Sequence, residues 1–374
     1  MMTSSSRARE FPSLLEKNYL NTAAEGIPSQ AVLAAVQEYL DDKMLGMDGR
    51  DAHFAREAQA REAAGRMLRL SASEIGFCSC SAEAYNLLAS ALDLKSDNEV
   101  VISDLDFPSG ATPWLAAKVK PIVRVWKSRE GALDIADLVP LLNSRTRLVQ
   151  VSLVSFYNGW RLPWQPFVAA VRQSAARAVI SADLTQALGR CMLDCEGADI
   201  LISSTHKWLL GLHGGCVVGV PEHAAERLTT AAGGWHHLRN AFDADRFERA
   251  EPKPGAASFA VGMPSFGPIY ALHAAVNYLL SIGVENIARH ADPLVQSAHA
   301  GLLERGITPL APLDLSCHSG IVAFRHERSD RIQAAMRRGN VHLMHQAGRM
   351  RLALHGYNTD EDVRRFFEVL DNVL

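Results

Sequence analysis

The sequence has few of the features that mark disulfide-rich, secreted or membrane proteins. Six cysteines in 374 residues are too few for a disulfide-stabilised scaffold. No apolar run reaches the length of a membrane span, and the first residues lack the apolar stretch of a signal peptide. We therefore expect a cytoplasmic protein with reduced thiols and no membrane partner.

Neither sign of charge is in excess, and the hydrophobic content is average. The chain has 38 lysines and arginines against 41 aspartates and glutamates, which gives a formal net charge of −3. A nucleic-acid-binding protein needs a basic surface, so no nucleic-acid partner is expected. With 48% hydrophobic and 21% charged residues, the composition is that of a globular protein and excludes disorder, collagen and coiled coil.

Common nucleotide-binding and metal-binding motifs are also missing. The sequence contains no dinucleotide-binding GxGxxG, no P-loop and no GxSxG nucleophile motif. The Cys78-x-Cys80 pair does not have the spacing of zinc-ribbon cysteines, and His236-His237 lies in a polar stretch without evident carboxylate partners. No metal site is therefore predicted.

From residue 74 onward, short apolar segments alternate with helical patterns. Strands are predicted at 74–78, 100–103, 122–126, 148–154, 178–181, 200–203 and 216–220. Helices are predicted at 31–45, 52–70, 83–92, 113–118, 135–142 and 167–176. Because the strands are apolar on both faces, the pattern predicts an α/β protein with a mostly parallel, seven-stranded sheet covered by helices.

From residue 233 onward, the sequence pattern changes. A polar stretch at 233–257 is predicted to be a long functional loop, and two long helices follow at 266–282 and 285–305. Strands at 320–324 and 349–354 with helices at 330–338 and 360–373 complete the predicted elements. We predict a large domain over 17–280, and a small α+β domain made of 1–16 and 281–374.

Two polar residues at strand ends are candidates for chemistry. Lys207 is flanked by bulky residues, where desolvation lowers the pKa of an amine and frees it for Schiff-base formation. Taken alone, the position is better explained by a surface lysine with its stem on apolar surface. Asp183 could hold the protonated pyridine nitrogen of pyridoxal phosphate (PLP), with Gln186 bonding the ring phenolate, or it could simply cap a turn.

Two further segments could bind anions. The strand-to-helix turn at 77–83 offers backbone N–H groups, a helix N-terminus and the Ser81 hydroxyl to a phosphate, although an ordinary helix cap gives the same pattern. Arg351 alternates with apolar residues on a strand, which suits bidentate capture of a carboxylate. The alternative for Arg351 is an edge-strand arginine that faces water.

In this order along the chain, the segments resemble the class V aminotransferase family of PLP enzymes. That family includes cysteine desulfurases, isopenicillin N epimerase-like proteins and kynureninases. The similarity runs from Tyr19 to the C-terminus, and its most specific parts are Asp183-x-x-Gln186 and Ser204-x-His206-Lys207. Arg351 with the segment 357–360 is similar to the family's closing motif.

The resemblance implies the fold type I of PLP-dependent transferases and assigns a role to each matching residue. Lys207 is the implied catalytic residue and the residue that binds the cofactor covalently. The implied contacts of the cofactor are Cys80, Ser81, Ser204 and His206 at the phosphate, Phe107 on the ring face, Asp183 at the pyridine nitrogen and Gln186 at the phenolate. The implied substrate contacts are Arg351, Asn21 and Ala24.

The chain departs from the family pattern at a few positions. Phe107 stands where many members stack a histidine, and Met263 stands for the threonine of a Gly-Thr-Pro turn that reaches a partner subunit. Phe156 lies near the place of a desulfurase asparagine, for which Asn158 is a possible substitute. The segment 325–350 contains no cysteine, and Cys317 precedes it, so a persulfide mechanism is not expected.

These features predict an enzyme that removes the Cα proton of a small amino acid. An aminotransferase is the first expectation, and a β-lyase that cleaves a C–S bond or an epimerase are alternatives in the same fold. A non-catalytic scaffold with this fold is the alternative from a different class. The resemblance also implies a homodimer with shared active sites, to which the loop 233–257 and the turn 262–264 would contribute.

Overall fold

The computed structural model describes residues 4–312 and 319–374. The helices of these residues are α1 (Ser4–Glu10), α2 (Gln30–Met44), α3 (Arg50–Leu68), α4 (Ser81–Leu92), α5 (Pro108–Ala116), α6 (Ile135–Leu138), α7 (Trp164–Ser174), α8 (Phe266–Ile282), α9 (Val284–Glu304), α10 (Ser329–Arg338) and α11 (Asp360–Asp371). The strands are β1 (Asn18–Tyr19), β2 (Ile75–Cys78), β3 (Glu99–Ser103), β4 (Ile122–Trp126), β5 (Thr146–Ser152), β6 (Val179–Asp183), β7 (Ile200–Ser204), β8 (Cys216–Gly219), β9 (Ile321–Arg325), β10 (Val341–His342), β11 (Met344–Gln346) and β12 (Arg349–Ala353).

The central sheet has seven strands in the order β2-β8-β7-β6-β5-β3-β4. Strands β7, β6, β5, β3 and β4 are parallel, and β8 runs antiparallel to both of its neighbours. Every residue of β6, β7 and β8 is buried, which explains their continuous apolar sequences. The predicted mostly parallel, seven-stranded sheet is confirmed.

One predicted helix is displaced in the structure. The sequence pattern predicts a helix at 113–118, whereas α5 begins at Pro108 and ends at Ala116. Proline has a fixed φ and no N–H to lose, so it suits the first turn of a helix, and Phe107 before it is extended. This earlier start places Phe107 directly at the end of the turn that follows β3.

A second, smaller sheet lies in the C-terminal part of the chain. It has the antiparallel order β11-β12-β9, and β1 pairs with β10 in a separate parallel ribbon. Side chains of α9, α10 and α11 form a hydrophobic cluster with this sheet, and Leu20 from the N-terminal segment belongs to the same cluster. Phe11 and Leu14 pack instead in the cluster of the central sheet. The domain boundaries stay a prediction.

No single helix among the described residues has the length and apolarity needed to cross a bilayer. Helices α8 and α9 pass the same test only as a pair, with a bend of 76° between them. Both helices contribute buried residues to the hydrophobic clusters.

Glu99 at the start of β3 makes stability depend on pH. Arg124 and Arg145 bond its buried carboxylate at 3.2 Å and 2.5 Å, and the Asn143 amide donates to it at 2.9 Å. The Arg124 hydrogen bond, followed by those of Asn143 and Arg145, holds the pKa of Glu99 at about 2 despite burial. Because the folded-state pKa is depressed, this stabilisation is present above the unfolded-state pKa of roughly 4.3 and is lost as the pH falls towards 2.

We expect Glu99→Gln to lower the free energy of unfolding at pH 7 by about 1–3 kcal/mol. The same change should weaken the acid dependence of stability between roughly pH 4.3 and pH 2. Equilibrium denaturation at stepped pH measures both effects, and Glu226→Gln, at an exposed glutamate, is the control. If the free energy of unfolding of the Glu99→Gln variant followed the same pH dependence as that of the parent protein, the role assigned to Glu99 would be wrong.

Candidate active site

A cavity of about 310 Å³ lies where the carboxyl ends of β6 and β7 meet the first turn of α4. Ligand sites of open α/β sheets lie at this edge. Its lining includes all eight residues that the sequence predicts to contact a cofactor: Cys80, Ser81, Phe107, Asp183, Gln186, Ser204, His206 and Lys207. Phe156, noted above as a departure from the family pattern, lines it too, as do residues that the sequence did not single out: Ala82, Ser109, Ser152 and Thr185.

Lys207 follows β7 and presents its amine to the cavity beside an aromatic face. The Lys207 Nζ atom lies 5.3 Å from the centroid of the Phe107 ring. Burial lowers the pKa of Lys207, as does the positive charge of Arg351, while Asp183 acts in the opposite direction. A lowered pKa increases the share of neutral amine, which is the form that attacks a carbonyl or accepts a proton.

Asp183, the last residue of β6, is buried and held at both oxygens. The Tyr85 hydroxyl donates to Oδ2 at 2.7 Å, and the Thr185 backbone N–H donates to Oδ1 at 2.8 Å. Burial, and next the charge of Asp183, raise the pKa of Tyr85 well above its ordinary value, so the phenol keeps its proton and stays a donor. The carboxylate is therefore fixed in orientation before any ligand binds.

Tyr85 is a residue that the sequence analysis missed. It lies on the buried face of α4, among residues whose periodicity indicates only a core position. The available signal was a polar hydroxyl on an otherwise apolar face, one turn after the predicted phosphate-binding segment. Its partner Asp183 is 98 residues away in sequence, so only the fold brings the two together.

Gln186 is positioned by a chain of hydrogen bonds that reaches the C-terminal part of the protein. The Trp208 indole N–H donates to Gln186 Oε1 at 2.6 Å, and Gln186 Nε2 donates to the Ala23 carbonyl at 3.1 Å. His355 accepts the Gly356 N–H at Nδ1 and donates from Nε2 to the Trp208 carbonyl at 3.0 Å. Burial lowers the pKa of His355 to about 3, so this support is a neutral imidazole.

The first turn of α4 forms the anion-binding end of the cavity. Its leading N–H groups have no partner within the helix, and Cys80 before it is extended. Ser79 donates both its N–H and its hydroxyl to the Glu83 carboxylate at 2.6 Å, whereas the Ser81 side chain lines the cavity. Of the two serines, Ser81 is the one available to a ligand.

Ser204, the last residue of β7, and His206, just after this strand, also line the cavity. The Ser204 N–H is bonded to the Thr185 hydroxyl at 3.1 Å, which joins the ends of β6 and β7. Burial lowers the pKa of His206 to about 4, and the charges of Lys207 and His213 act in the same direction. His206 is therefore a neutral imidazole at physiological pH.

An aromatic pair closes one wall. The Phe107 and Phe156 rings meet edge to face, with centroids 5.0 Å apart and an interplanar angle of 87°. Asn158 does not line the cavity, because its amide donates to the carbonyls of Gly131 at 2.7 Å and Leu310 at 3.2 Å. It therefore fastens loops together and does not take the place proposed for it beside the cofactor.

The predicted substrate residues lie next to the cavity and are not part of its lining. Arg351 is buried and donates from Nη1 to the Phe156 carbonyl at 2.6 Å, and its Nε atom has no hydrogen-bond partner among the described residues. Asn21 accepts the Ala24 N–H at its carbonyl oxygen at 2.9 Å. Asn21 and Ala24 lie on either side of Ala23 in the chain, and the Ala23 carbonyl accepts a hydrogen bond from the Gln186 amide. The substrate roles of Arg351, Asn21 and Ala24 stay predictions.

The predicted functional loop contributes nothing to this cavity within one chain. His236 stacks on Phe54 with centroids 6.1 Å apart, and His237 is buried with its Nε2 atom 3.1 Å from the Ala232 carbonyl. Met263 is partly exposed in a different groove, which Tyr39 and Met47 also line. Cys317 lies outside the described residues.

Comparison with known proteins gives consistent matches over the whole length. The model of a family described as aminotransferase class V matches residues 18–366. An uncharacterized aminotransferase of Bacillus subtilis, YcbU, is 26% identical over 359 residues, covering 95% of this chain and 94% of that protein. A probable cysteine desulfurase of Pseudomonas aeruginosa is 28% identical over 383 residues, covering 95% of this chain and 93% of that protein.

A solved structure shows the same fold. The cystine C–S lyase C-DES, in a lysine-to-alanine variant with glycine covalently linked to its PLP cofactor, matches with a TM-score of 0.88 at 20% identity. The match covers 97% of this chain and 99% of that chain. The predicted fold type I of PLP-dependent enzymes is thereby confirmed.

Proposed function

Because the chain belongs to the class V aminotransferase family of PLP-dependent enzymes, we propose that it is an aminotransferase that removes the Cα proton of a small amino acid. The observation that carries this proposal is the meeting of Lys207, Asp183 and Phe107 around one cavity. An amine, a fixed carboxylate and an aromatic face are the three groups that a PLP enzyme needs around the ring.

The residues present fit the cofactor from end to end. The first turn of α4 with Ser81, together with Ser204 and His206, offers donors to the phosphate. The fixed Asp183 carboxylate is suited to a protonated pyridine nitrogen, and the Gln186 amide has a second N–H for the phenolate. The donor set therefore agrees with the family's cofactor.

Lys207 is the residue that we assign to proton transfer. Its amine would hold the cofactor covalently and, once freed by an incoming amino group, would accept the proton from Cα of the substrate. PLP, when bound, supplies the conjugated ring that delocalises the electron pair left on Cα. Delivery of the proton by Lys207 to a different atom would give transamination, whereas epimerisation would need a second acid on the opposite face of Cα.

Arg351 is the residue that we assign to the substrate carboxylate. Its guanidinium is buried, carries one N–H without an acceptor, and adjoins the cavity through Phe156. A buried cation with an unpaired donor is costly unless a ligand supplies the acceptor, which an amino acid carboxylate does. The Phe107 and Phe156 rings form an apolar wall in the same region.

A second candidate function is β-lyase activity that cleaves a C–S bond. It is favoured by the relatives described as cysteine desulfurases and by the fold shared with the C–S lyase C-DES. The absence of cysteine from 325–350 argues for elimination and against a persulfide on the enzyme, and this stays a prediction. Cysteine and cystine therefore belong among the substrates to be tested.

Turnover with and without a keto acid separates the candidates. We expect omission of the keto-acid acceptor to reduce turnover of the preferred amino acid by about tenfold or more, because transamination must return the cofactor to its starting form. The holoenzyme is assayed with a panel of small amino acids, cysteine and cystine. Pyruvate and sulfide formed at full rate without acceptor would establish the lyase, and racemisation alone would establish an epimerase.

We also propose that the enzyme is a homodimer. Support comes from an apolar groove of about 690 Å³ lined by Tyr39, Met47, Met263 and Phe266. Met47 and the nearby Met44 are both strongly exposed. A monomeric protein seldom exposes a continuous apolar patch of this kind. A second copy would cover it.

A further inference from the structure

Three metal-ligating side chains lie close together beside Lys207. They are Glu25, His206 and His213, and one ligand atom from each lies within 4.8 Å of the other two. His213 Nε2 and Glu25 Oε1 are 3.1 Å apart. The imidazole rings of His206 and His213 stack with centroids 4.2 Å apart.

Backbone contacts hold Glu25 next to His206 without help from an ion. The Gly26 N–H donates to the His206 carbonyl at 2.8 Å. A Cβ at residue 26 would lie 2.0 Å from the Lys207 carbonyl oxygen, so glycine is required for this close approach. The Tyr19 hydroxyl donates to the Glu25 carbonyl at 2.8 Å and fixes the same segment from its other side.

The turn that carries His213 is fastened to the same strand end. The Thr205 hydroxyl donates to the Leu212 carbonyl at 2.6 Å, and the Gly211 N–H donates to the Thr205 carbonyl at 2.9 Å. Segments that are far apart in sequence are therefore held at fixed positions around one point. With the backbone held in this way, only side-chain torsions remain to be fixed when the three side chains turn towards an ion.

The donor set selects the kind of ion. Two imidazoles and one carboxylate are ligands that zinc accepts in sites with three protein ligands and an open fourth position. Magnesium and calcium prefer all-oxygen surroundings, which this cluster does not offer. The side chains of Glu25 and His213 are 53% and 68% exposed, so an ion can enter from solvent.

We propose that Glu25, His206 and His213 bind Zn²⁺, and that the bound ion inhibits the enzyme. His206 immediately precedes Lys207 and lines the cavity, so a metal bound to it would occupy the imidazole that otherwise offers a donor to the cofactor phosphate. The ion also places positive charge beside the amine that must take up a proton. The inhibition rests on the proposed function, whereas the binding does not.

Calorimetric titration of the holoenzyme, freed of metal with a chelator, tests the binding directly. With Zn²⁺ as the probe we expect one site per chain with a Kd of about 10 μM or tighter, and no comparable binding of Mg²⁺. His213→Ala and Glu25→Gln should each weaken Zn²⁺ binding by about tenfold or more. His223→Ala, which removes an exposed histidine elsewhere, should leave binding unchanged.

The effect of Zn²⁺ on turnover is measured with the same proteins. Neither Glu25 nor His213 belongs to the catalytic machinery, so turnover without Zn²⁺ should stay within about twofold of the parent enzyme. Added Zn²⁺ should inhibit the parent and His223→Ala reversibly, and should inhibit His213→Ala only at concentrations about tenfold higher or more.

Two results would overturn the inference. Equal Zn²⁺ affinity of the parent, His213→Ala and Glu25→Gln proteins would place the ion elsewhere and reject the site. Unchanged turnover of a protein shown to be zinc-saturated would reject the inhibitory role. If the proposed reaction itself fails for every amino acid, the calorimetric comparison still decides whether the site exists.

Discussion

Replacement of Lys207 by alanine is expected to lower kcat/KM by about 10³-fold or more, because it removes the covalent anchor of the cofactor and the base that takes the Cα proton. The amine adjoins Phe107 at the edge of the cavity, and no other lysine of residues 4–312 and 319–374 lines it. The variant should also lose the visible absorption band that PLP shows when it is joined to a lysine amine. Absorption spectra and turnover of the two purified proteins measure both effects.

A matched control is available in Lys253, which is likewise neither fully buried nor fully exposed. Its ammonium donates to the His236 carbonyl at 2.9 Å, outside the cavity, so Lys253→Ala should keep the band and the activity. If Lys207→Ala retained both the band and turnover within a few-fold, the assignment of Lys207 would be wrong.

The second large effect is expected at Asp183. Asp183→Asn should reduce kcat by about 10²–10³-fold, because an amide cannot keep the pyridine nitrogen protonated and the ring then withdraws electrons poorly. The volume of the side chain is nearly unchanged, and one amide oxygen can still accept the Thr185 N–H. Turnover kinetics should therefore show the loss mainly in kcat, with the absorption band retained.

Tyr85→Phe separates the charge of Asp183 from its orientation. This variant removes one hydrogen bond at 2.7 Å and leaves the carboxylate in place, so we expect a loss of only about 3- to 10-fold. A Tyr85→Phe enzyme as impaired as Asp183→Asn would show that orientation, and not charge, dominates. An Asp183→Asn enzyme with an altered KM alone would refute the proposed role of the carboxylate.

Local sequence patterns placed Lys207, Asp183 and Ser81 at one edge of the sheet, and the family resemblance was needed to choose their roles. Lys207 and Asp183 each follow an apolar segment, and parallel strands bring such ends to one edge of a sheet. Ser81 was identified from the turn between a strand and a helix, which is also a local signal. The predicted contacts of a cofactor therefore met in a single cavity, although the chemical roles await the experiments above.

Features that depend on long-range packing were not predictable. Tyr85 reaches Asp183 only because α4 packs across the sheet, and Glu25 reaches His213 only because two loops meet. Strands β10 and β11 are too short for a periodic pattern to show. From the sequence, Asn158 could stand in for the family's asparagine beside the cofactor. Only the structure shows that its amide joins loops instead.

The pairing of β1 with β10 has a consequence for synthesis on the ribosome. Asn18 donates its side-chain amide to the Asp362 carbonyl, a contact between residues separated by 344 positions, and Leu20 packs in the cluster formed by the C-terminal helices. The segment around Asn18 emerges from the ribosome long before Asp362, its partner 344 positions further along the chain. It must therefore remain unpaired while the central sheet forms, and a nascent chain stalled before β10 would leave Leu20 exposed to chaperones.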